Sequence, residues 1–404
     1  MKSPVADIIL ITWNGRQHIM AALAAVAAQL DRGELAGQIV VTVVDNGSVD
    51  GTSAAVMSQY PKVRLISLHS NLGFTGGIAA AARTSVATYL IFLNNDAVPE
   101  PGWLEALVEA QKAASTDVVA VGGKIVDLTA TRVDFIGGVL TFDGHAFQTG
   151  FRKKLGSVEE PADGEEILFA CGGNMIVRRK EYLDLGGFDD DYFAYLEDVD
   201  FGWRAWLSGF RITYAASAVV RHASSATSNT IGAFERGVLF ERNALQTALK
   251  NFEGPLLRES AGSIFLAMLH RLHHYVTMRN LDVDELQREP FNGSLPRARR
   301  PWWRRLVRRL TGRRRTRAAL DDDLTVMQFR AIDWFFRHSE AIMAKRLQVQ
   351  SGRKRTDREI FERFPLHFVP TYPGDFDLMG SGLFTALRAD LPAVDKTLGD
   401  IMES

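Results

Sequence analysis

The sequence predicts an α/β fold in which a mostly parallel sheet is flanked by helices and followed by a mainly helical C-terminal extension. Short apolar, β-branched runs alternate with helical patterns through the first 114 residues, which is typical of a parallel sheet with helices on both faces. Residues 118–177 are richer in β signals and glycine, and helical patterns dominate after His222. We therefore predict an α/β domain at residues 1–250 and the extension at residues 251–404.

The four N-terminal strands are predicted at residues 7–12, 38–44, 63–68 and 89–93. Helical patterns between and after them cover residues 19–30, 78–86 and 103–114, and one more ends at Tyr60. In such sheets ligands bind beyond the carboxyl ends of the strands. Asn14, Asp45 and Asp96 all lie at these ends, which makes them candidate binding residues.

The bulk composition is that of an ordinary globular protein. Of 404 residues, 46% are hydrophobic and 24% charged, and the net charge is -1. The single cysteine, Cys171, excludes an intramolecular disulfide framework and a cysteine-rich zinc site. The N-terminus lacks the features of a signal peptide, and no apolar run approaches the roughly 18 residues of a membrane span. We expect a cytoplasmic protein without a transmembrane helix.

Residues 188–211 combine carboxylates, aromatic rings and a helix start. The helical pattern begins at Glu197-Asp198-Val199-Asp200 and Gly209 stands where a C-terminal cap belongs. The helix dipole alone could explain acids in a first turn. The aromatic residues just before them indicate partly apolar surroundings, where a carboxylate can act as a base.

Three other segments carry candidate binding groups, and each has a structural alternative. Asp45 in VVDNGSVDGT could bind a polar ring or a ribose, or it could belong to an Asx-type turn. Asp96 in FLNNDAVPEP could bind a divalent metal that grips a diphosphate, although Asn94 and Asn95 are also turn formers. The glycine-rich loop 71–77 suits the approach of a phosphate or sugar, but it is not a Walker loop.

In order and spacing, these segments resemble the inverting family 2 glycosyltransferases, whose domain has the GT-A fold. The resemblance covers roughly residues 5–245 and is strongest to the bacterial rhamnosyltransferase-like branch that builds surface polysaccharides. It rests on the segments TWNG, VVDNGSVDGT, NLGFTGG, FLNNDAVPEPGWL, GGNMIVRR, GGFDDDYFAYLEDVDFGWRAWLSGFR and a following RH. The segment ERNALQTALKNF also resembles the one that follows the catalytic domain in that branch.

The resemblance implies a nucleotide-sugar donor held with Mg²⁺ or Mn²⁺. Asp45 would recognise the base, and the other nucleotide-binding residues would be Thr12, Asn14, Asn71, Gly73 and Asn95. Asp96 and His222 would bind the metal or the diphosphate. Asn94 stands where the family's Asp-x-Asp motif has its first acid, which leaves one charge fewer for the metal.

On the acceptor side, the resemblance implies that Asp198 is the general base and that Glu197 supports it or binds the acceptor. Asp198 would take a proton from an acceptor hydroxyl, whose oxygen attacks the anomeric carbon opposite the leaving diphosphate and inverts it. The acceptor-binding residues would be Gly172, Gly173, Asn174 and Trp203.

The C-terminal extension contains an arginine block between helical patterns. Residues 290–320 hold eleven arginines, no acid, and Trp302-Trp303. The block could be a solvated loop, bind nucleic acid or dock on anionic lipid. We favour lipid, because tryptophan beside arginine suits a membrane interface and the rest of the chain is not basic. The flanking helices, including residues 324–350, could equally form a homo-oligomer.

The predicted function is therefore transfer of a sugar, rhamnose from dTDP-rhamnose, onto a surface-polysaccharide or lipid-linked glycan acceptor. The protein could be peripheral on the inner face of the cytoplasmic membrane. A UDP-hexose or UDP-galactofuranose donor remains open. A protein of a different class also remains open, a catalytically inactive sugar-nucleotide-binding component of a polysaccharide assembly complex. Asn94, in place of the first acid of the metal motif, is the reason.

Overall fold

The computed structural model describes residues 3–32, 35, 37–223, 232–277, 323–372 and 374–403. The strands before residue 223 are β1 (Ala6–Thr12), β2 (Ile39–Asp45), β3 (Arg64–Ser67), β4 (Tyr89–Asn94), β5 (Ala97–Pro99), β6 (Val118–Asp127), β7 (Val133–Phe135), β8 (Gly138–Leu140), β9 (Ala146–Gln148), β10 (Asn174–Arg178) and β11 (Arg211–His222). All but β8 and β9 join one central sheet, and those two form a hairpin. Two further strands, β12 (Leu366–Phe368) and β13 (Ala393–Asp395), pair near the C-terminus.

The helices of the α/β part are α1 (Arg16–Arg32), α2 (Thr52–Gln59), α3 (Gly73–Thr84), α4 (Trp103–Ala113), α5 (Arg179–Asp184) and α6 (Glu197–Leu207). Those that follow in the described residues are α7 (Ala233–Asn251), α8 (Gly254–Thr277), α9 (Asp323–Arg337), α10 (Ser339–Ser351), α11 (Asp357–Arg363), α12 (Asp375–Met379), α13 (Gly382–Leu387) and α14 (Leu398–Ile401). The predicted α/β fold with a helical C-terminal region is confirmed.

The sheet has the order β3-β2-β1-β4-β10-β6-β11-β5, with β7 paired to β6. Strands β3, β2, β1 and β4 are parallel, as the alternating pattern predicts. Strand β10 runs antiparallel to both β4 and β6. It therefore starts where β4 ends, and this reversal brings the chain around Gly173 beside Asn94.

The sheet is covered on both faces because its inner strands are apolar on both sides. Successive residues of a strand point to opposite faces. Ile8 and Ile91 therefore pack in a core with α1 and α4. Their neighbours Ile9 and Phe92 pack on the other face, with residues of α3, α5 and α6.

Two predicted elements differ from the structure. The loop 71–77 is already helical from Gly73, because the side-chain oxygen of Asn71 accepts the Gly73 N–H and begins the helix early. The helix predicted at residues 324–350 is two helices. They are separated at His338, whose Nδ1 lies 2.7 Å from the Trp334 carbonyl and whose ring stacks on that indole.

The C-terminal helices share a hydrophobic core with the α/β part. Phe252 and Phe361 pack edge-on against Trp203 of α6, and Phe364 packs against Trp206. Within the described part of the chain, no helix combines the length and apolarity that a membrane crossing needs. The arginine block with Trp302-Trp303 lies outside the described residues.

Candidate active site

Helix α6 places Asp198 against a glycine loop. The helix starts at Glu197 and is followed by Gly209 with a φ of 88°, as predicted. The two Asp198 oxygens accept hydrogen bonds from the backbone N–H groups of Gly172, at 3.1 Å, and Val199, at 2.8 Å. Each carboxylate oxygen of the predicted base is thus held by one backbone N–H group.

The same glycine loop reaches the predicted metal ligands. The Gly173 carbonyl accepts the Asn94 N–H at 3.1 Å. A Cβ at Gly173 would lie 2.5 Å from the Asn94 side chain, so only glycine allows this approach. The Asn94 amide nitrogen lies 3.2 Å from His222 Nε2, which is 3.0 Å from Asp96 Oδ1. One continuous set of contacts therefore joins Asp198 to Asp96 and His222.

Burial controls the ionisation of the carboxyl pair. It raises the pKa of Asp198, although the N–H groups of Gly172 and Val199 oppose the shift. Burial and the negative charge of Asp198 raise the pKa of Glu197 well above its ordinary value. One oxygen of the buried Glu197 carboxyl, Oε2, has no hydrogen-bond partner. Asp198 is thus the member of the pair that ionises first, as a base must.

Asp134 orients His222. Its Oδ2 lies 2.7 Å from His222 Nδ1, so Nε2 of the ring faces Asp96. Burial disfavours the charged ring, but the hydrogen bonds to Asp134 and Asp96 raise the pKa of His222 to about 10. The pKa of Asp96 is lowered despite its burial, because His222 donates to it and carries positive charge.

The Asp96 and His222 side chains fit a divalent ion that would also bind the phosphates of the substrate. Neighbouring ligands of a six-coordinate ion with bonds of about 2.1 Å lie about 3 Å apart. Asp96 Oδ1 and His222 Nε2 lie 3.0 Å apart in a hydrogen bond, so both could face one ion once the ring loses its Nε2 proton. No group of three or more His, Cys, Asp or Glu side chains suited to a metal occurs in the described residues. A carboxylate and an imidazole would leave the other positions to phosphate and water, as is usual for Mg²⁺.

The predicted nucleotide residues line the carboxyl edge of the sheet. Asp45 Oδ1 accepts the Ser48 N–H at 2.9 Å and Oδ2 accepts the Ser53 hydroxyl. Asn14, with a φ of 49°, donates its N–H to the Ser48 hydroxyl oxygen. These are the contacts expected if Asp45 belongs to an Asx-type turn. A carboxylate oxygen can accept a second hydrogen bond, so base recognition by Asp45 stays a prediction.

The remaining nucleotide candidates lie beside this turn. Asn95 Nδ2 donates to the Thr12 hydroxyl at 3.2 Å, which joins the ends of β4 and β1. Asn71 caps the first turn of α3 at Gly73. Asn46 Nδ2 donates to the Gly73 carbonyl, and its Oδ1 accepts the Leu72 N–H.

Two predicted acceptor residues are structural. Asn174 is fully buried: its amide donates to the carbonyls of Lys124 and Ala218 and accepts from the Trp103 indole. Trp203 is also fully buried, and its indole donates to Asp357. Neither side chain can reach an acceptor, so these two predictions are wrong. Gly172 and Gly173 border Asp198 and Asn94 and stay predictions.

The acids that precede the site have structural partners. Asp189 caps a short 3-10 turn and pairs with Lys250 and Lys345. Asp191 also pairs with Lys345, and Asp190 with Arg83.

Sequence reasoning missed Asp134 and Asn46. Asp134 lies between apolar residues in a short strand, and an acid flanked in this way looks like a surface position. Asn46 follows Asp45 in a segment whose residues are typical of a turn. Their roles depend on partners 88 and 27 residues away along the chain, which local patterns do not reveal.

The fold and the site define an α/β domain in which a buried carboxylate, a candidate metal pair and a nucleotide loop meet at the carboxyl edge of the sheet. Residues 7–185 match the model of the family Glycosyl transferase family 2. The chain therefore carries a family 2 glycosyltransferase domain, and the recognised family and enzyme class are confirmed.

The similar proteins agree with this assignment. N-acetylglucosaminyl-diphospho-decaprenol L-rhamnosyltransferase of Mycobacterium tuberculosis is 28% identical over 242 residues, which cover 54% of this chain and 76% of that protein. The O-antigen biosynthesis protein RfbC of Myxococcus xanthus is 30% identical over 199 residues, 46% of this chain and 15% of that protein. A crystal structure of GalNAc-T7 with UDP, GalNAc and Mn²⁺ superposes with a TM-score of 0.50 at 12% identity, covering 66% of this chain and 51% of that one. This likeness supports the GT-A fold.

Proposed function

We propose that the protein is an inverting glycosyltransferase that moves rhamnose from dTDP-rhamnose onto a lipid-linked or growing surface-polysaccharide glycan. The observation that supports this best is the set of contacts running from Asp198 through the glycine loop and Asn94 to His222 and Asp96. These contacts link a candidate base to a candidate diphosphate site. An inverting transfer needs both groups near the anomeric carbon, because the acceptor attacks opposite the leaving group.

In the proposed reaction Asp198 accepts the proton of the acceptor hydroxyl. The hydroxyl oxygen forms a bond to the anomeric carbon while the bond from that carbon to the diphosphate oxygen breaks. The N–H groups of Gly172 and Val199 hold the Asp198 oxygens during this proton transfer. Asp96 and His222 would bind Mg²⁺ or Mn²⁺, which supplies positive charge to the leaving diphosphate. Asp134 keeps His222 Nε2 turned toward Asp96.

The relatives support the choice of donor and acceptor. The mycobacterial relative is named as a rhamnosyltransferase acting on a diphospho-decaprenol, and the Myxococcus relative as an O-antigen biosynthesis protein. We therefore propose rhamnose as the sugar and a lipid-linked glycan as the acceptor, in cell-envelope glycan synthesis. A UDP-sugar donor is the alternative that the assay below distinguishes.

A lipid-linked acceptor requires the protein to work at a membrane surface. We propose that the arginine block at residues 290–320 docks on anionic lipid. Sedimentation with anionic vesicles should be lost when its eleven arginines are replaced by glutamine. Undiminished sedimentation would contradict the lipid contact and leave a homo-oligomer contact as the role of this region.

The experiment is a donor panel. Purified protein is incubated with dTDP-rhamnose, UDP-galactofuranose or UDP-glucose, with Mn²⁺, with Mg²⁺ or with EDTA. Water serves as the acceptor hydroxyl, and released nucleoside diphosphate is measured. We expect release of dTDP from dTDP-rhamnose, and its loss with EDTA. Turnover of a UDP-sugar alone would contradict the proposed donor. Binding without turnover of any donor would contradict the enzyme and favour an inactive binding component.

A further inference from the structure

The four residues before the carboxyl pair, residues 193–196, form a strained turn. Phe193, Tyr195 and Leu196 have φ values of 64°, 71° and 65°. Non-glycine residues avoid this region, so each of the three is strained. Leu196 also begins α6 without any side-chain cap. Something outside the turn must therefore stabilise it.

The side-chain amide of Asn243 on α7 supplies this support. Its nitrogen lies 3.0, 2.9 and 2.8 Å from the carbonyl oxygens of Tyr192, Ala194 and Tyr195. Asn243 is fully buried, so water cannot replace it. The amide has two hydrogens, so one of them is shared, and a single side chain thus contacts three backbone carbonyls of this turn.

Arg242 orients that amide. Its Nε donates to Asn243 Oδ1 at 3.2 Å, so the amide nitrogen must face the turn. Its Nη2 also donates to the carbonyls of Asp191, at 2.9 Å, and Tyr192, at 3.2 Å. The guanidinium stacks on the Trp334 ring of α9, 4.2 Å from its centroid. Arg242 and Asn243 together form what we term the turn clamp.

The clamped turn touches both halves of the site. At one end it leads directly into Glu197 and Asp198. At the other, the Phe193 carbonyl accepts the Thr75 N–H at 3.2 Å, and a Cβ at Gly73 would lie 2.3 Å from that carbonyl oxygen. A shift of the turn would therefore move the base relative to the glycine-rich loop.

We propose that Asn243, oriented by Arg242, is a positioning residue that holds Asp198 at the correct distance from the donor. The proposal rests on the proposed glycosyl transfer. The clamp lies in the segment 241–252, after the residues that match the family model. It explains why this helix follows the α/β domain closely: its side chains complete the turn that presents the base.

The test compares substitutions along one face of α7. Asn243→Ala removes the donors, Asn243→Ser keeps one, and Arg242→Lys keeps the charge but not the hydrogen bond from Nε. Gln246→Ala is the control, because Gln246 is buried on the same helix and neither of its amide atoms has a hydrogen-bond partner in the described residues. The readouts are dTDP release from dTDP-rhamnose with Mn²⁺, dTDP affinity by calorimetry, and amide hydrogen exchange of residues 191–200.

We expect Asn243→Ala to lower kcat by about 10²-fold while KM and dTDP affinity stay within about threefold. Asn243→Ser and Arg242→Lys should give intermediate values of kcat. They test the proposal if the Asn243→Ala protein is poorly folded. Exchange should accelerate in residues 191–200 and not in the central strands. Gln246→Ala should turn over donor at close to the wild-type rate.

A folded Asn243→Ala protein with a near wild-type kcat would overturn the proposal. An equal loss in Gln246→Ala would also overturn it, because the effect would then be general destabilisation of α7. Failure of the glycosyl-transfer function would instead show as absence of turnover in the wild-type protein. The two failures are therefore distinguishable.

Discussion

At the residue scale, opposing forces act on Asp198. Burial disfavours its charge, whereas two backbone N–H groups favour it, and the net effect is a pKa above the ordinary value for an aspartate. Glu197 has no such N–H pair, and Asp198 repels its charge. Glu197 therefore remains a neutral acid over the range in which Asp198 becomes a base.

This ordering predicts a pH profile. Turnover should fall as pH drops through the pKa of Asp198, because protonation removes the base, and this acid limb should lie above the range of an exposed aspartate. Glu197→Gln should keep the limb at the same pH, because a neutral amide replaces a neutral acid. The measurement is kcat against pH for both proteins. A limb that disappears in Glu197→Gln would show that Glu197 is the titrating base.

Individual site residues were predictable where a motif fixes their chemistry. Asp198, Asp96 and His222 were proposed from sequence, and one set of contacts links them in the structure. Asn174 and Trp203 were assigned wrongly, because membership of a motif does not reveal which face of a strand or helix a side chain occupies. Asp134 was missed because its partner lies in a distant strand.

At the element scale, the start of α3 depends on close backbone contact. Gly73 has a φ of 77° and lies against Phe193, which belongs to the strained turn. The sequence pattern placed the helix start at residue 78 because glycines dominate the first turn. The contact with Phe193 and the Asn71 cap compensate for the low helix propensity of glycine.

Alanine substitutions at two glycines distinguish the effect of this contact on stability from the effect of backbone conformation. Gly102 also precedes a helix with a positive φ, 83°, but nothing lies within 4 Å of where its Cβ would be. Gly102→Ala should cost about 1–2 kcal/mol of unfolding free energy through backbone conformation alone. Gly73→Ala should cost at least about 2 kcal/mol more, because its Cβ would overlap the Phe193 carbonyl. Urea denaturation of both proteins checks this, and equal losses would contradict the packing account.

At the scale of the whole molecule, buried ion pairs connect the C-terminal helices to the sheet domain. Arg271 of α8 bonds Asp143, in the β8–β9 turn, and Asp375 of α12. His145 pairs with Asp143 and Glu241 in the same cluster. The sequence indicated the helices but not these pairings, since charge complementarity over 128 residues has no local signature. The boundary at residue 250 stays a prediction.

Removing Arg271 should therefore destabilise the molecule as a unit. Arg271→Met removes the arginine from two buried carboxylates and leaves Asp143 with His145 alone, which should cost about 3–5 kcal/mol. Arg337→Met is the control, because its pair with Asp333 is exposed, and its free energy of unfolding should be unchanged within error. Thermal and urea unfolding measure both. An Arg271→Met protein as stable as the control would show that the cluster does not hold the C-terminal helices in place.

The central claim is that Asp198 is the base of a sugar transfer. Its most direct test is dTDP release from dTDP-rhamnose by the Asp198→Asn protein, with Asp184→Asn, an exposed acid, as the control. We predict a loss of kcat on the order of 10²–10⁴-fold for Asp198→Asn and none for the control. A folded Asp198→Asn protein that releases dTDP at the wild-type rate would contradict the claim.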